Sequence, residues 1–360
     1  MTVDLMSALA EREKKVSAFF VEEAAAYKTE PPELKDLVYA YANRGGKRLR
    51  PSVMMWCCGA MGGKEEDAFF AACGTELFHT WTLVHDDVID NDDMRRNGPT
   101  AHKMGESFAR ANLGFDNDRA KEYGVDLAIL TGDVLHGRAV ELICRSSIEG
   151  NVSPEVTLAV VRLLETKVVD LLLSGETLDV RFEGMAVEDV SEEDIIDMMR
   201  KKTGVLYEFA AAAGAMIGLG TSDMSHKYVR ALETFAGKCG IAFQLRDDIL
   251  GIAADEKKLG KPIGSDIYEG KRTVIVRNAL KNLGAEEKEF LLSVLGNRDA
   301  SKEDAEKAIR LIKESGALDY TAALAEKYVN DALEAVNILP DSEYKDLLVS
   351  WARYMTGRTF

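Results

Sequence analysis

The chain has 360 residues and a formal net charge of −16, with 46% hydrophobic and 29% charged residues. These proportions are typical of a globular protein that buries a large core in one or two domains. The acidic excess argues against a nucleic-acid partner, because no basic surplus is available to neutralise a phosphate backbone. A small phosphorylated partner is compatible with this charge only where basic residues cluster.

The five cysteines are odd in number and follow no metal-ligand spacing. They are predicted to be reduced, buried thiols of a cytoplasmic protein. The N-terminal sequence MTVDLMSALAEREKKV has neither the basic nor the apolar region of a signal peptide. The longest apolar run, residues 209–220, is too short to span a bilayer, so no transmembrane segment is expected.

Helical periodicity dominates the first half of the chain. Residues 67–92 follow one helical pattern, and residues 105–123 form a polar stretch that is expected to be a surface insertion, partly loop. Ser153 followed by Pro154 predicts a capped helix start, and the periodic run continues to about Val180.

The second half is also predicted to be helical. Ser191 and Asp194 form a capping-box variant that opens a run to about Leu219. Ser301 predicts another helix start, and Gly316 predicts the end of that helix. Strand patterns and linkers rich in Pro, Gly or Ser are scarce, so a single all-α domain is expected.

The stretch LVHDDVID holds the first acidic cluster. Asp86 and Asp90 lie four residues apart and share a helix face, while Asp87 is rotated by about 100°. Like charges at this spacing repel, and their apolar neighbours indicate that the face borders a core. A bound cation would offset that cost, and carboxylate oxygens suit Mg²⁺. The alternative is a solvated acidic face.

Basic residues concentrate on both sides of this cluster. The segment YANRGGKRLRP, residues 41–51, carries Arg44, Lys47, Arg48 and Arg50. Arg95 and Arg96 follow the acidic helix, and His79 lies nearly on the face of Asp86. Such a cluster in an acidic chain indicates diphosphate binding. The alternatives are a basic helix start on the surface and a histidine packed in the core.

A second acidic pair follows about 160 residues later in FQLRDDILG. Gln244, Asp247 and Asp248 point to one side of a predicted helix. We expect the two acidic clusters to hold the same divalent ions from opposite walls of one cavity, and therefore expect Asp86 and Asp247 to face a common space.

Further polar residues surround this second cluster. Lys202, Thr203 and Gly204 interrupt an apolar run, which predicts a helix break whose carbonyls and hydroxyl stabilise a cation. Lys261 and Lys271 follow the acidic pair. They could be surface ion pairs, or they could close over a metal-bound diphosphate.

The order of these motifs is specific. It runs GGKRLRP, ELFHTWTLVHDDVIDNDDMRRNGPTAH, KTG, FQLRDDILG and LGKPIGSDIYEGKRT, over about residues 40 to 273. This combination resembles the trans-isoprenyl diphosphate synthases of the polyprenyl synthetase family, with a pattern closest to the archaeal-type geranylgeranyl diphosphate synthases.

The resemblance implies a prenyltransferase that joins an allylic diphosphate to isopentenyl diphosphate in a 1'-4, head-to-tail condensation. It implies an isoprenoid-synthase helical bundle around a deep central cavity, with one domain over residues 1–360 and the insertion at about 105–123. It also implies a homodimer and three Mg²⁺ ions per active site.

The resemblance assigns roles by position. The metal ligands would be Asp86, Asp87, Asp90, Asp247 and Asp248. The allylic diphosphate would contact Arg95, Lys202, Gln244, Lys261 and Lys271. Isopentenyl diphosphate would contact Lys47, Arg50, His79 and Arg96. The catalytic residues would be Lys202, Thr203 and Gln244, the last two stabilising the carbocation. Three departures from the family are Gly251, where a third aspartate is common, Glu176, where glutamine is common, and the insertion at 105–123, which is longer than usual.

Product length is predicted from the helix below the first cluster. Phe78, Thr82 and Asp86 follow one another at single-turn spacing, about 5.4 Å per step. Trp81 flanks this path, and the family resemblance makes an aromatic residue there a chain-length stop. We predict a C20 product, with C15 as the nearest rival. The alternative is that Phe78 and Trp81 are core aromatics.

Three other functions would explain part of this pattern. A terpene cyclase would need no second diphosphate site, so GGKRLRP, His79 and Arg96 argue against it. A non-catalytic regulatory subunit would be expected to lose acids from the first motif, whereas all three are present. A bare Mg²⁺ or Ca²⁺ module would leave Arg95 and Lys202 unexplained.

Overall fold

The computed structural model describes residues 4–253, 265–297 and 299–357. Within these ranges the chain is almost entirely helical, and its strands are limited to Met94–Arg95 and Gly98–Pro99. The prediction of an all-α protein is therefore confirmed. No helix in the described ranges is both long and apolar enough to cross a bilayer.

The helices follow one another with short connections. The first are α1 Leu5–Ala26, α2 Pro32–Val38, α3 Ala40–Asn43, α4 Leu49–Ala60, α5 Glu65–Ile89, α6 Ala101–Phe108, α7 Asn117–Ile148 and α8 Pro154–Leu163. They are followed by α9 Val169–Glu183, α10 Glu192–Met199, α11 Val205–Leu219, α12 Lys227–Ala253, α13 Ser265–Glu269 and α14 Val274–Asn282. The last are α15 Ala285–Val294, α16 Lys302–Glu314, α17 Ala317–Ala335 and α18 Glu343–Thr356. Three π-helical turns cover Ala109–Leu113, Leu164–Val168 and Arg200–Gly204, and two 3₁₀ turns cover Val187–Asp189 and Val336–Ile338.

The backbone divides into two compact units. The first unit comprises Met1–Val161, Ala212–Met224 and Ser342–Leu347. The second comprises Arg162–Ala211, Ser225–Asp341 and Leu348–Phe360. The single-domain interpretation and the shared cavity stay predictions.

In the first unit, α5 packs along α7. Acidic side chains fill the first turn of α5, where the helix dipole favours them. Gly74 permits the close approach, because a Cβ there would lie 2.7 Å from the carbonyl oxygen of Ala139 on α7. The helix predicted over 67–92 is confirmed, although it ends at Ile89 with Asp90 as its cap.

The segment 105–123, predicted to be a surface insertion that is partly loop, is mostly exposed. It is helical except for residues 114–116, which join the π turn Ala109–Leu113 to α7. Ala109 and Ala120 are fully buried, and a Cβ on Gly105 would lie 3.0 Å from the Cα of Gly124. The segment is helical because these small residues let α6 pack tightly on α7.

The second unit confirms the predicted helix starts. The Ser191 hydroxyl accepts a hydrogen bond from the Asp194 N–H at 3.0 Å, and the Asp194 carboxylate accepts the Ser191 N–H. The Ser301 hydroxyl likewise accepts the Asp304 N–H at the start of α16, and Gly316 follows the end of this helix in the left-handed conformation. The helix start at Pro154, in the first unit, is likewise confirmed.

The predicted break at Lys202 to Gly204 is a π-helical turn between α10 and α11. The chain continues in the same helical path, so the expectation of a broken helix was wrong. A π turn leaves one extra residue in the helix and occurs often at functional sites. A hydrophobic core in the second unit is built from aliphatic side chains such as Ile249, Ile252 and Ile275.

Candidate active site

The first acidic cluster lies at the C-terminal end of α5, in the first unit. Asp86 and Asp90 are partly accessible, and the Asp86 side chain is 20% exposed. An Arg95 Nη2 atom approaches Asp86 at 3.5 Å. The two carboxylates therefore combine solvent access with a neighbouring guanidinium group.

Asp87 has different surroundings, because its side chain is fully buried. Its carboxylate accepts hydrogen bonds from the Tyr41 hydroxyl and from Arg95 Nε, both at 2.5 Å. Burial raises the pKa of the Asp87 carboxyl, while Arg95 and Tyr41 oppose that rise. Tyr41 also accepts the Ala101 N–H at 2.9 Å. Asp87 thus fixes the guanidinium of Arg95 from inside the protein.

A short hairpin places the two arginines after α5. Met94 pairs with Pro99 and Arg95 with Gly98, so Arg96 and Asn97 form the two-residue turn. Both turn residues have positive φ, at 49° and 58°, as a type I′ turn requires. The turn sends Arg95 towards Asp87 and Arg96 towards the loop that joins α3 to α4.

The basic segment 41–51 is not uniformly exposed. Lys47 is exposed and Arg50 half-buried, whereas the Arg48 side chain is completely buried against Glu76, with 2.6 Å between Arg48 Nη1 and Glu76 Oε1. Arg44 donates to the Pro99 carbonyl oxygen at 2.6 Å. Arg48 is therefore part of the interior, although the sequence groups it with surface base.

His79 lies on α5, half-buried. Burial, and then the positive charges of Arg50 and Arg96, lower the pKa of its imidazole. His79 is consequently neutral near pH 7 and can donate or accept a hydrogen bond without adding charge. Its predicted contact with isopentenyl diphosphate stays a prediction.

The donor set of the first cluster fits Mg²⁺. Asp86 and Asp90 offer hard carboxylate oxygens at an accessible edge, and Mg²⁺ commonly binds one or two carboxylates while keeping water and substrate oxygens. Across the described ranges, no three His, Cys, Asp or Glu side chains are close enough to hold a metal alone.

The second cluster lines a pocket of about 90 Å³ inside the second unit. Its lining includes Lys202, Thr203, Gln244, Asp248 and Lys271. Asp247 lies beside Asp248 on α12 and is half-buried. Five sequence-predicted residues therefore share this pocket.

Lys202 is held by two acids of α9. Its Nζ lies 2.7 Å from Asp179 and 2.9 Å from Glu176. Gly175 allows α9 to approach, because a Cβ there would overlap the Lys202 backbone nitrogen. Glu176, the departure from the family pattern, thus contacts a predicted diphosphate ligand.

A chain of hydrogen bonds links the π turn to α12. The Thr203 hydroxyl donates to Gln244 Oε1 at 3.1 Å, and Gln244 Nε2 donates to Asp248 Oδ1 at 3.0 Å. Lys271 lies 3.1 Å from Glu269. Lys261 lies outside the described residues.

The predicted chain-length residues occupy the middle of α5. Phe78 is fully buried, and Trp81 is nearly so. The Trp81 indole stacks on His136 of α7 with 4.8 Å between centroids and 16° between planes, and meets Phe78 edge-on. The Thr82 hydroxyl donates to the His79 carbonyl oxygen at 2.8 Å.

Tyr41, Glu76, Asp179 and His136 contact the predicted residues but were not assigned roles from the sequence. Glu76 carried the same signal as Asp86, namely an acid within an apolar helix. His136 gave no signal, because its importance depends on the packing of α7 against Trp81.

Comparison with known proteins gives the family. The polyprenyl synthetase family model matches residues 31–312. The geranylgeranyl diphosphate synthase of Sulfolobus acidocaldarius is 38% identical over 306 residues, which are 85% of this chain and 84% of that protein. The geranylfarnesyl diphosphate synthase of Aeropyrum pernix is 35% identical over 87% of this chain and 91% of that protein.

Two solved structures are similar over nearly the whole chain. The geranylgeranyl pyrophosphate synthetase of Pyrococcus horikoshii has a TM-score of 0.82 at 33% identity, covering 98% of this chain and 99% of that chain. The geranylgeranyl pyrophosphate synthase of Corynebacterium glutamicum, solved with isoprenyl diphosphate and magnesium, has a TM-score of 0.82 at 27% identity, covering 99% and 100%. The chain therefore belongs to the polyprenyl synthetase family and is a transferase with the all-α fold of that family.

Proposed function

We propose that the protein condenses an allylic diphosphate with isopentenyl diphosphate, 1'-4 and head-to-tail, to give geranylgeranyl diphosphate (C20). The observation that carries the proposal is the pairing of accessible Asp86 with Arg95, whose guanidinium is anchored by buried Asp87. This arrangement suits a site that must neutralise a departing diphosphate. The names of the relatives support the same chemistry.

We assign Asp86 and Asp90 of the first unit, and Asp247 of the second unit with Asp248 as support, as ligands of Mg²⁺, and expect three ions. Asp87, which the family resemblance places among the metal ligands, is assigned instead to holding Arg95. When bound, Mg²⁺ supplies Lewis-acid charge that stabilises the leaving diphosphate.

Basic residues of the chain bind and orient the substrates. Arg95, Lys202, Gln244, Lys261 and Lys271 are assigned to the allylic diphosphate, and Lys47, Arg50, His79 and Arg96 to isopentenyl diphosphate. Lys202 is a point charge that Glu176 and Asp179 aim by holding its ammonium group.

Thr203 and Gln244 offer oxygen dipoles to the allylic cation in the Lys202 pocket. Water would capture this cation, and Met198 and Met199 are the apolar side chains in the pocket lining that can help to exclude it. The proton lost from isopentenyl diphosphate passes to the released diphosphate.

We assign chain length to Phe78, Trp81 and Thr82. The bulky pair Phe78 and Trp81 is braced in the interior, which supports a product limit at C20. Relatives are named for C20 and C25 products, which supports C20 and makes C25 a longer alternative. Farnesyl diphosphate (C15) is the shorter alternative.

We further propose a cytoplasmic homodimer. All five cysteines are free of disulfides, which suits a reducing compartment. Ile129 and Leu130 of α7 are exposed in the single chain, at 44% and 54%, and are candidates for the contact between subunits.

The proposal is tested by a product assay with C5, C10 and C15 allylic starters, with and without isopentenyl diphosphate. We expect C20 product only when both substrates are present, whereas a terpene cyclase would consume the allylic substrate alone. Asp86→Ala should slow turnover by at least ~10³-fold, several kcal/mol of lost metal assistance. Asp93→Ala is the control, because the Asp93 side chain is 71% exposed and forms an ion pair with half-buried Lys103. Near-normal turnover of Asp86→Ala would contradict the assignment.

A further inference from the structure

The loop between α3 and α4 carries the predicted ligand Lys47 and leads to Arg50. It passes through three residues with left-handed backbone, Gly45 at φ 83°, Gly46 at φ 130° and Arg48 at φ 47°. A non-glycine residue rarely adopts this conformation unless its surroundings require it. The position of Lys47 therefore depends on contacts that hold the loop from outside.

Two arginines make those contacts. Arg96 Nη1 donates to the carbonyl oxygens of Tyr41 and Gly45 at 2.9 and 2.8 Å. Arg48 Nη2 donates to the Ala42 carbonyl oxygen. Tyr41 and Ala42 lie in the last turn of α3, where carbonyl groups lack partners from the helix interior, although the Tyr41 carbonyl also accepts the N–H of Arg44, the residue that caps the helix. The guanidinium groups thus tie the end of α3 to the loop.

Both arginines meet one buried acid. Glu76 is 3% exposed on α5, and its Oε1 lies 2.6 Å from Arg48 Nη1 and 3.5 Å from Arg96 Nη2. The buried guanidinium group of Arg48 and the half-buried one of Arg96 repel each other, and a shared carboxylate compensates for that repulsion. Gly46 packs against Arg96, because a Cβ there would lie 3.2 Å from the guanidinium carbon of Arg96.

We propose that Glu76 is a positioning residue for isopentenyl diphosphate, which it aligns by holding Arg48 and Arg96 against the loop at residues 44–48. The inference rests on the proposed function, since it takes Lys47 and Arg50 as diphosphate ligands. Glu76 does not touch the substrate. It acts through the two arginines, whose hydrogen bonds to carbonyl oxygens set the loop backbone.

The test is Glu76→Gln, which keeps the size of the side chain and removes its charge. We expect the KM for isopentenyl diphosphate to rise about 10-fold or more, the size expected from a lost charged hydrogen bond, while the KM for the allylic diphosphate stays within about 2-fold. We also expect faster hydrogen–deuterium exchange of the amides at residues 44–48. Glu76→Asp keeps the charge, so both its KM for isopentenyl diphosphate and its amide exchange at residues 44–48 should lie between those of the wild type and Glu76→Gln.

Glu233→Gln is the matched control in the second unit. Glu233 is 7% exposed and also pairs with two cations, Lys167 at 2.5 Å and Arg230 at 2.6 Å. It controls for general loss of stability and should leave the KM for isopentenyl diphosphate unchanged. If Glu76→Gln fails to fold, Glu76→Asp against Glu233→Gln carries the same comparison, with smaller shifts in the same direction.

The proposal needs both readouts. Equal increases in the two KM values, an unchanged KM for isopentenyl diphosphate, or unchanged exchange at residues 44–48 would overturn it. A wild-type protein that does not consume isopentenyl diphosphate would overturn the proposed function instead. The exchange comparison would then still decide whether Glu76 fixes the loop.

Discussion

At the scale of single residues, the three aspartates of the first motif differ in their surroundings. Asp86 and Asp90 reach accessible space, whereas Asp87 is enclosed by Tyr41 and Arg95. A fully buried carboxylate is stable only with such partners. Aspartate therefore serves two purposes in this motif. The partly accessible carboxylates can bind a cation, and the buried carboxylate anchors a guanidinium group.

Tyr41→Phe tests the anchor. The change removes the hydroxyl that donates to Asp87 and accepts the Ala101 N–H. Leaving these buried groups unsatisfied should cost about 1–3 kcal/mol, which lowers the melting temperature by several degrees. Arg95 would also be held less firmly. We expect turnover to fall by about 10-fold, which corresponds to ~1.4 kcal/mol in the activation free energy.

The control for Tyr41→Phe is Tyr320→Phe, which removes a hydroxyl that bonds Glu192 at the surface. Thermal unfolding and steady-state kinetics of the two variants give the comparison. Equal, small effects in both variants would show that the Asp87 anchor contributes nothing.

His136→Ala tests the chain-length assignment. The Trp81 indole loses its stacking partner, a contact that contributes about 0.5–1.5 kcal/mol, and gains room to rotate. We expect products longer than C20 to increase, as they should in Trp81→Ala and Phe78→Ala. Mass spectrometry of the products checks this, with His226→Ala as a control beside Tyr228. Unchanged chain length in His136→Ala and Trp81→Ala would exclude the stacked pair as a length determinant.

At the scale of secondary-structure elements, helix starts could be predicted because their signals are local. Ser191 caps its own helix through Asp194, three residues away, and Ser301 does the same through Asp304. The residues needed for such a cap are adjacent in sequence, so no knowledge of the tertiary structure is required.

Features that depend on packing could not be predicted in this way. The sequence predicted a helix break at Lys202 to Gly204, whereas the structure has the π turn Arg200–Gly204. The close packing of this turn against Gly175 of α9 is a tertiary contact that the local sequence does not reveal. Arg48 could not be distinguished from Arg50, since the burial of its charge depends on Glu76, which is distant in the sequence. Residue spacing and the family resemblance predicted the ligands. The residues that hold those ligands in place belong to other helices and could not be predicted in this way.

Gly175→Ala tests the packing that positions the π turn. The added Cβ would overlap the Lys202 backbone nitrogen, so the turn or α9 must move. We expect turnover to fall at least ~10-fold, about 1.4 kcal/mol in the barrier, with a lower melting temperature. Gly184→Ala is the matched control at the end of the same helix, where a Cβ meets only the Arg181 carbonyl oxygen at 3.7 Å. Equal turnover of the two variants would show that the close approach is unimportant for the site.

At the scale of the whole molecule, three helices run from one compact unit into the other. These are α8 Pro154–Leu163, α11 Val205–Leu219 and α18 Glu343–Thr356. A helix unfolds cooperatively, since each turn depends on hydrogen bonds to the next. The two units are therefore expected to lose their structure together.

Thiol labelling can measure whether the two units unfold together, because each unit contains at least one buried cysteine. Cys57, Cys58 and Cys73 lie in the first unit and Cys239 in the second. Burial raises the pKa of the Cys57 and Cys73 thiols and raises that of Cys58 to about 12, so little reactive thiolate forms. At pH 8 we expect half-buried Cys144 to react first with a thiol reagent. Cys57 of the first unit and Cys239 of the second should become reactive over the same range of urea concentration, followed by mass spectrometry of labelled peptides. A Cys144→Ser protein removes the early signal and serves as the control. Labelling of Cys239 at a clearly lower urea concentration than Cys57 would show that the second unit unfolds independently, despite the three continuous helices.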